Sequence, residues 1–292
     1  MTKRVLLVGM NSFDSGKTRF AIELSKYLSA EGHVIEYFKP LSGHNYWYNH
    51  EHTKVCLKNG ILVSKDAMKV REFIEPKSPI ELANPVHSLF VPMRLEKPMQ
   101  TMTNTLGLAG ASSILTLERF SRPMDSGVDS TVLVAQRFIE EERLIIKQEE
   151  VGMLTMGAAI IPINDLEGVQ EFERLNFEKH VSKSFFEVEK SADVVIIEGF
   201  NDAAWPWDGL EAVDTVLLIG PAHVFSYDPE KFRKATYLMN RGNLPIREVT
   251  FRRISDLVKP LDRLEIKPDT KPSKDELEHF LRSFRTGKKD IQ

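Results

Sequence analysis

Gly16-Lys17-Thr18 is the stretch of this chain whose chemistry is easiest to name. It closes the segment Gly9-Met10-Asn11-Ser12-Phe13-Asp14-Ser15-Gly16-Lys17-Thr18. The apolar run Val5-Leu6-Leu7-Val8 precedes that segment. An amphipathic pattern comes after it, with Phe20, Ala21, Leu24, Tyr27 and Leu28 on one helical face. Strand, polar glycine-bearing loop and helix are the setting in which successive main-chain N–H groups converge on an anion. The helix start adds unpaired N–H groups and the positive end of its dipole. Gly16 lets the backbone approach phosphates with no Cβ in the way. Lys17 is a compact cation able to reach β- and γ-phosphates, and Thr18 offers a hydroxyl to Mg²⁺. The nucleotide-binding candidates are therefore Asn11, Ser12, Phe13, Asp14, Ser15, Gly16, Lys17 and Thr18. The usual pattern has a glycine separated by four residues from the Gly-Lys pair. Asn11 holds that place here, and asparagine tolerates positive φ better than most residues.

The second informative stretch is Val194-Val195-Ile196-Ile197-Glu198-Gly199. Four β-branched aliphatic residues in a row describe a strand buried on both faces. It delivers Glu198 at its carboxyl end, where a carboxylate can hold Mg²⁺ opposite a phosphate loop. Residues 33–38 form another strand after the glycine stop at Gly32. Strand, helix and strand make a βαβ unit and predict a parallel sheet. Lys39 then comes just past a strand's carboxyl end, the edge at which open α/β sheets bind ligands.

The remaining elements are read from pattern. A helix is expected after Ser64, with Ala67, Met68, Val70 and Phe73. Residues 76–105 carry Pro76, Pro79, Pro85, Pro92 and Pro98 and read as a long irregular connection. A strand is expected over 113–120, a loop over 121–130 and a helix over 131–148. Residues 152–163 are apolar, and pattern alone leaves strand and buried helix open. A long helix is expected over 165–190, and strands over 215–220 and 247–251. Asp228-Pro229 opens another helix, Ser273 and Glu276 form a capping-box signature, and residues 286–292 read as a frayed tail. Residues 44–52 hold His44, His50, His52, Tyr46, Trp47 and Tyr48. A metal cluster, a substrate lid and an exposed helix start capping the sheet are the available readings. The absence of His-x-x-x-His or paired-cysteine spacing favours the exposed helix start.

With 292 residues, 42% of them hydrophobic and 28% charged, the chain has ample material for a core. The expected organisation is a single α/β domain over 1–285, elaborated around 76–165. A net charge of −3 gives no sign of a nucleic-acid or anionic-membrane partner. The lone Cys56 leaves no intramolecular disulfide and points to a reducing compartment. No apolar run is long enough to span a bilayer, and no signal-peptide layout is present. A cytoplasmic protein is expected.

With these residues in view, the chain resembles the dethiobiotin synthetase group of SIMIBI-class P-loop NTPases. Lys39-Pro40-Leu41-Ser42-Gly43 matches that group's Lys-Pro after the second strand. Asp66-Ala67 matches its helical Asp-Ala, Asn84-Pro85 its Asn-Pro, and Glu198-Gly199 the end of its late central strand. The likeness rests on short motifs in the same order over about 200 residues, a span read on the motif-in-context argument. It implies a three-layer P-loop fold with a mainly parallel central sheet and helices on both faces. It also implies Lys17 on phosphates, Mg²⁺ surrounded by Thr18, Asp66 and Glu198, and Lys39 facing a substrate carboxylate, carbamate or transferring phosphate. The sequence departs from that group after Glu198-Gly199, where Phe200-Asn201-Asp202 stand in place of small residues, and residues 106–165 are additional. The likeness therefore points to the archaeal-type P-loop ATPases or GTPases of this class rather than to biotin synthesis. The guanine signature Asn-Lys-x-Asp is absent, so ATP is expected ahead of GTP.

Two functions fit these expectations. One is an ATP-dependent phosphoryl-transfer or ligase-type enzyme acting on a small acidic substrate, with Lys17, Lys39 and Glu198 as catalytic residues. The other is a nucleotide-dependent switch controlling a protein partner. Trp205 and Trp207 offer either an apolar substrate wall or a homodimer patch.

Overall fold

Val5, Leu6, Leu7 and Val8 are all fully buried in strand β1 (Lys3–Gly9), the strand from which the first sheet grows. The computed structural model describes residues 2–12, 14–96, 113–240, 242, 244–267 and 270–281. After β1 come α1 (Lys17–Ala30), β2 (Ile35–Phe38), β3 (Leu41–Asn45), α2 (His50–Asn59), α3 (Lys65–Arg71), α4 (Ile80–Ala83) and β4 (Val86–Pro92). Strands β5 (Ser113–Met124) and β6 (Gly127–Val134) are next, then α5 (Gln136–Glu140), α6 (Gln148–Leu154), β7 (Ala159–Pro162) and α7 (Leu166–Glu189). The last part holds β8 (Val194–Glu198), β9 (Thr215–Gly220), β10 (His223–Tyr227), α8 (Pro229–Met239), α9 (Phe251–Ile254), β11 (Asp262–Glu265) and α10 (Lys274–Phe280).

The architecture is α/β with two mixed sheets. The first has the order β11-β10-β9-β1-β8-β2. Strands β9, β1, β8 and β2 are mutually parallel, while β10 and β11 add an antiparallel edge. The second sheet runs β3-β4-β5-β6-β7, with antiparallel pairs in its middle and parallel pairs at both ends.

Because side chains alternate along a strand, the first sheet builds two cores. Leu6, Val8, Val195, Ile197 and Leu218 pack with Phe177, Val181 and Phe185 of α7 and Phe232 of α8. Val5, Leu7, Tyr37, Ile196 and Ile219 pack with Phe20, Leu24 and Leu28 of α1, Val70 of α3 and Leu277 of α10. The second sheet has its own core of Leu89, Val91, Leu117, Val132 and Val134 against Tyr46, Cys56, Val151 and Leu154. Helix α7 packs against both sheets, and its Ser184 hydroxyl donates to the carbonyl of Ser121 on β5 at 3.2 Å.

The two capping signals hold: Asp228 caps α8 with proline in its first turn, and Ser273 and Glu276 form the capping box of α10. Asp165, read only as the start of a helix, caps α7 through the amide of Gly168.

Several expectations are corrected. The stretch just past Lys39, to which pattern assigns no element, forms β3 and opens a second sheet. The loop over 121–130 and helix over 131–148 are instead a hairpin, in which β5 and β6 pair up to Met124 and Gly127. The β-branched residues Thr131, Val132 and Val134 favour strand, and Gly127 supplies the left-handed turn at φ 102°. Two short helices, α5 and α6, occupy the chain beyond β6 in place of the single helix expected. The irregular connection over 76–105 holds α4 and β4. Its prolines mark boundaries, with Pro79 before α4, Pro85 before β4 and Pro92 ending it, and Pro98 lies outside the described residues. The segment 152–163 divides into the end of α6 and strand β7. The strand expected over 247–251 is a 3₁₀ turn (Ile246–Glu248) leading into α9, with only an isolated bridge between Ala203 and Thr250. The tail over 286–292 lies outside the described residues.

Trp205 and Trp207 form neither a substrate wall nor a dimer patch. Both are fully buried. Trp207 packs edge-on to Phe38 and Phe185, and Trp205 Nε1 donates to the Leu210 carbonyl at 3.0 Å. No helix among the described residues is long and apolar enough to cross a membrane.

Candidate functional site

Strand order determines what meets at the carboxyl edge of the first sheet. Strand β8 lies between β1 and β2, with Glu198 level with Leu7 and Ile197 level with Phe38. The loop after β1 and Lys39 after β2 therefore flank Glu198, although these residues are far apart in sequence.

The loop after β1 turns through two left-handed positions, Asp14 at φ 51° and Gly16 at φ 87°. Asn11 is not among the positive-φ residues, so the tolerance expected there is used at Asp14 instead. Asn11 is exposed, and its carbonyl accepts a long 3.5 Å contact from the Ser15 hydroxyl. Phe13 lies outside the described residues. Helix α1 starts at Lys17 with no side-chain cap and no acidic residue in its first turn. Its first amides and dipole therefore have no carboxylate on its own first turn to balance them. Lys17 is buried, and its Nζ donates to the Asn201 carbonyl at 2.6 Å and to the Ser15 hydroxyl at 3.3 Å. Burial, the largest influence, lowers the Lys17 pKa below the ordinary lysine value despite the nearby Glu198. An ammonium that has lost solvent in this way gains from an added anion. Gly9 makes the arrangement fit: a Cβ there would lie 2.5 Å from the Asn201 carbonyl oxygen and 2.8 Å from Lys17 Nζ.

Next to this loop, Thr18 Oγ1 lies 3.2 Å from Glu198 Oε1 and 3.3 Å from Oε2, and Thr18 helps hold the Asp66 pKa down. Lys39 Nζ donates to Glu198 Oε1 at 2.7 Å and to Asp66 Oδ2. Tyr37 donates its phenol to Glu198 Oε2 at 2.6 Å, fixing the carboxylate from behind. Burial pulls the Lys39 pKa down, but Glu198 and Asp66 outweigh it and hold it above the ordinary value. Burial likewise pushes Asp66 up, and Lys39 overrides it, so its pKa lies below the usual carboxylate value. Both Asp66 and Lys39 stay ionised through the neutral range. The Asp66 contribution to stability is complete above its unfolded value and is lost as pH falls through the depressed folded one. The Lys39 contribution is complete below its unfolded value and is lost as pH rises through the raised folded one.

Asn84 braces this cluster. Its Nδ2 donates to the Lys39 carbonyl at 2.8 Å, and its Oδ1 accepts from the Ser42 hydroxyl at 3.1 Å and from Ser64 N at 2.9 Å. Ser64 in turn caps α3 and so sets Asp66. Asn84-Pro85 stands out in the sequence by resemblance only; the bonds give Asn84 a physical task.

One cavity of about 430 Å³ joins these groups. Its wall includes Ser12, Asp14–Thr18, Lys39, Ser42, Lys65, Asp66, Glu198 and Asn201, and it extends to His44, Asn49 and His52. The structure thus brings Lys17, Thr18, Lys39, Asp66 and Glu198 together.

The helix start expected over 44–52 is present, with α2 beginning at His50 and Trp47 and Tyr48 exposed, but the stretch is not exposed throughout. His44 and His52 are buried and gather with His87 of β4. Sequence reasoning misses the group because His87 is distant in the chain and only the pairing of β3 with β4 brings it alongside. Alternation along β3 does place Ser42 and His44 on one face, the single local signal available.

No protein family, curated protein or solved structure matches this chain.

Proposed function

We propose that this protein binds a Mg²⁺–nucleoside triphosphate, ATP ahead of GTP, and uses it for phosphoryl transfer to a small acidic substrate. The proposed frame is a three-layer P-loop NTPase fold, with the first sheet as its central layer. The observation that carries the reading is the contact between Thr18 and Glu198, 180 residues apart in sequence, beside the amides that open α1. One hydroxyl and two carboxylates, from Thr18, Asp66 and Glu198, are the hard oxygen donors that Mg²⁺ takes alongside phosphate oxygens and water. Bound there, the ion would neutralise phosphate charge during transfer.

The chain's own groups do the rest. The amides of Gly16, Lys17 and Thr18 would hold phosphate oxygens, with Lys17 supplying a desolvated positive charge. Lys39 and Lys65 line the same cavity, and their cations suit an acidic acceptor. A neighbouring cavity of about 240 Å³ adjoins Gly16 and is lined in part by Phe20, Ile219, Pro221 and Ile266. Its apolar wall suits a purine ring.

A switch is the second reading, favoured by the bond from Lys17 Nζ to the Asn201 carbonyl in the loop after Glu198. A phosphate competing for Lys17 would disturb that loop. The chain returns to the buried core at Ala203, Ala204 and Trp205, which leaves the loop little reach and favours the enzyme.

A thermal-shift series tests the nucleotide reading. Mg-ATP at about 100 times its Kd should stabilise the protein by roughly 2.7 kcal/mol. GTP should stabilise it less, and chelation of Mg²⁺ should remove most of the gain. Absence of a shift with every nucleotide would overturn the reading. Acceptor-stimulated ADP formation would then mark the enzyme; nucleotide-dependent partner capture without it would mark the switch.

A further inference from the structure

Of the three buried histidines, His44 and His52 line the far wall of the same cavity and His87 joins them through His44; none has a task in the nucleotide reading. One ring nitrogen of each lies within 4.8 Å of the others. The hydrogen bonds around them determine which nitrogens remain for a ligand. Ser42 commits its hydroxyl proton to Asn84 Oδ1, whose amide is oriented by two carbonyls accepting from its Nδ2. His87 Nδ1, 2.6 Å from Ser42 Oγ, must therefore donate, which leaves a lone pair on His87 Nε2. His52 Nε2 is 2.7 Å from the Val63 carbonyl, an acceptor only, so His52 keeps its lone pair on Nδ1. His44 Nδ1 faces His87 Nε2 at 2.7 Å, and His44 Nε2 faces the Thr53 hydroxyl at 3.2 Å. Thr53 Oγ1 also lies 3.4 Å from the Asn49 carbonyl. A hydroxyl rotation toward that carbonyl lets His44 donate from Nε2 and frees His44 Nδ1 as a third lone pair.

We infer that His44, His52 and His87 form a binding site for one first-row transition-metal dication, Zn²⁺ or a similar ion, with its open coordination positions facing the cavity. The pattern is that of a metal centre: each ligand ring is held from outside by a carbonyl or hydroxyl, which fixes its tautomer. Three imidazoles with an open position suit Zn²⁺, Co²⁺ or Ni²⁺ and are poor donors for Mg²⁺, so the site is chemically distinct from the oxygen cluster of Thr18, Asp66 and Glu198. Nitrogens around a tetrahedral Zn²⁺ lie about 3.3 Å apart. The His44–His87 pair, at 2.7 Å, must open slightly, and the other nitrogens, within 4.8 Å, must draw in by ring rotation. Burial, helped by His52, lowers the His44 pKa to about 3, and burial lowers those of His87 and His52 as well. All three are therefore neutral, the form that ligates. The metal site goes beyond the nucleotide reading and does not need it. That its open positions would take an oxygen of the acidic acceptor is a consequence that does rest on that reading.

The test uses the full chain without a histidine tag, stripped with a chelator and titrated with Zn²⁺ by calorimetry and with Co²⁺ by visible absorption. The expected result is about one equivalent bound, with Co²⁺ bands of a low-coordinate nitrogen site. His52→Gln should weaken binding by more than the roughly 10- to 100-fold that loss of an outer partner costs, and Thr53→Val should fall within that range. The Mg-ATP thermal shift of His52→Gln should be unchanged, which separates this site from the nucleotide site. No stoichiometric uptake by the unmodified chain would overturn the inference and leave only a hydrogen-bonded chain from Thr53 through His44 and His87 to Ser42. Uptake equal in the unmodified chain and in His52→Gln would overturn it equally.

Discussion

Replacing Lys17 with alanine is expected to weaken Mg-ATP binding by about 30- to 150-fold, the equivalent of roughly 2–3 kcal/mol for a charge-assisted bond to phosphate. Calorimetric titration measures it directly. The nucleotide-free protein should keep its melting temperature to within a few degrees. Burial already lowers the Lys17 pKa, so the ammonium is held at some cost before an anion arrives. Loss of affinity with retained stability is the signature of a residue placed for a ligand rather than for the fold. Unchanged affinity would mean that the loop after β1 does not hold phosphate.

The second large effect concerns Lys39. It is buried and bonded to both Glu198 and Asp66. Lys39→Met keeps most of the volume and leaves two carboxylates facing each other without a cation. Breaking a buried ion pair in this way costs about 3–5 kcal/mol, and the 38% exposure of the Asp66 side chain places the expected loss near the lower end. The pH dependence has a definite sign. In the unmodified protein Asp66 has a depressed pKa, so its contribution is present above the unfolded value near 3.9 and fades below it. In Lys39→Met the two acids repel, Asp66 loses the cation that holds its pKa down, and the folded state binds protons that the unfolded state does not. The deficit should be largest near neutral pH and shrink as pH falls toward about 5. Millimolar Mg²⁺ should also recover part of it by supplying the missing positive charge. Denaturant unfolding of both proteins across pH, with and without Mg²⁺, measures all three effects. A deficit independent of pH and of Mg²⁺ would show that Lys39 contributes by packing alone.

The parts of this site legible in the sequence are those whose signal is local. Strand, loop and helix over residues 5–28 come from a short apolar run, Gly16 and an amphipathic period. Glu198 at the end of a β-branched run is equally local. The caps at Asp228 and Ser273 are readable because a cap needs only three or four neighbouring residues. Pairing is the part that cannot be read. Nothing local says that β8 lies between β1 and β2, yet that order alone puts Glu198 within reach of both Thr18 and Lys39. The second sheet escapes for the same reason. Leu41-Ser42-Gly43-His44-Asn45 is a poor strand by propensity and is held by β4 beside it. Thr131–Val134 reads as helix because the charged residues after it carry a helical period, and the hairpin partner that makes it a strand lies upstream in β5. His87 carries no signal of its own until the pairing of β3 with β4 sets it against His44. Trp205 and Trp207 read as a substrate wall or a dimer patch because large aromatics suit both, whereas the chain turns inward at Ala203.

One structure tests most directly whether the amides after β1 and the acid ending β8 share a single Mg²⁺–nucleotide: the protein crystallised with Mg²⁺ and a non-hydrolysable ATP analogue. The expected density shows β- and γ-phosphates against the amides of Gly16–Thr18 and Lys17, with the ion between the γ-phosphate and the oxygens of Thr18 and Glu198. An analogue bound elsewhere, or a triphosphate in the loop with Glu198 still bonded to Thr18, Lys39 and Tyr37 and no ion near it, would contradict that arrangement.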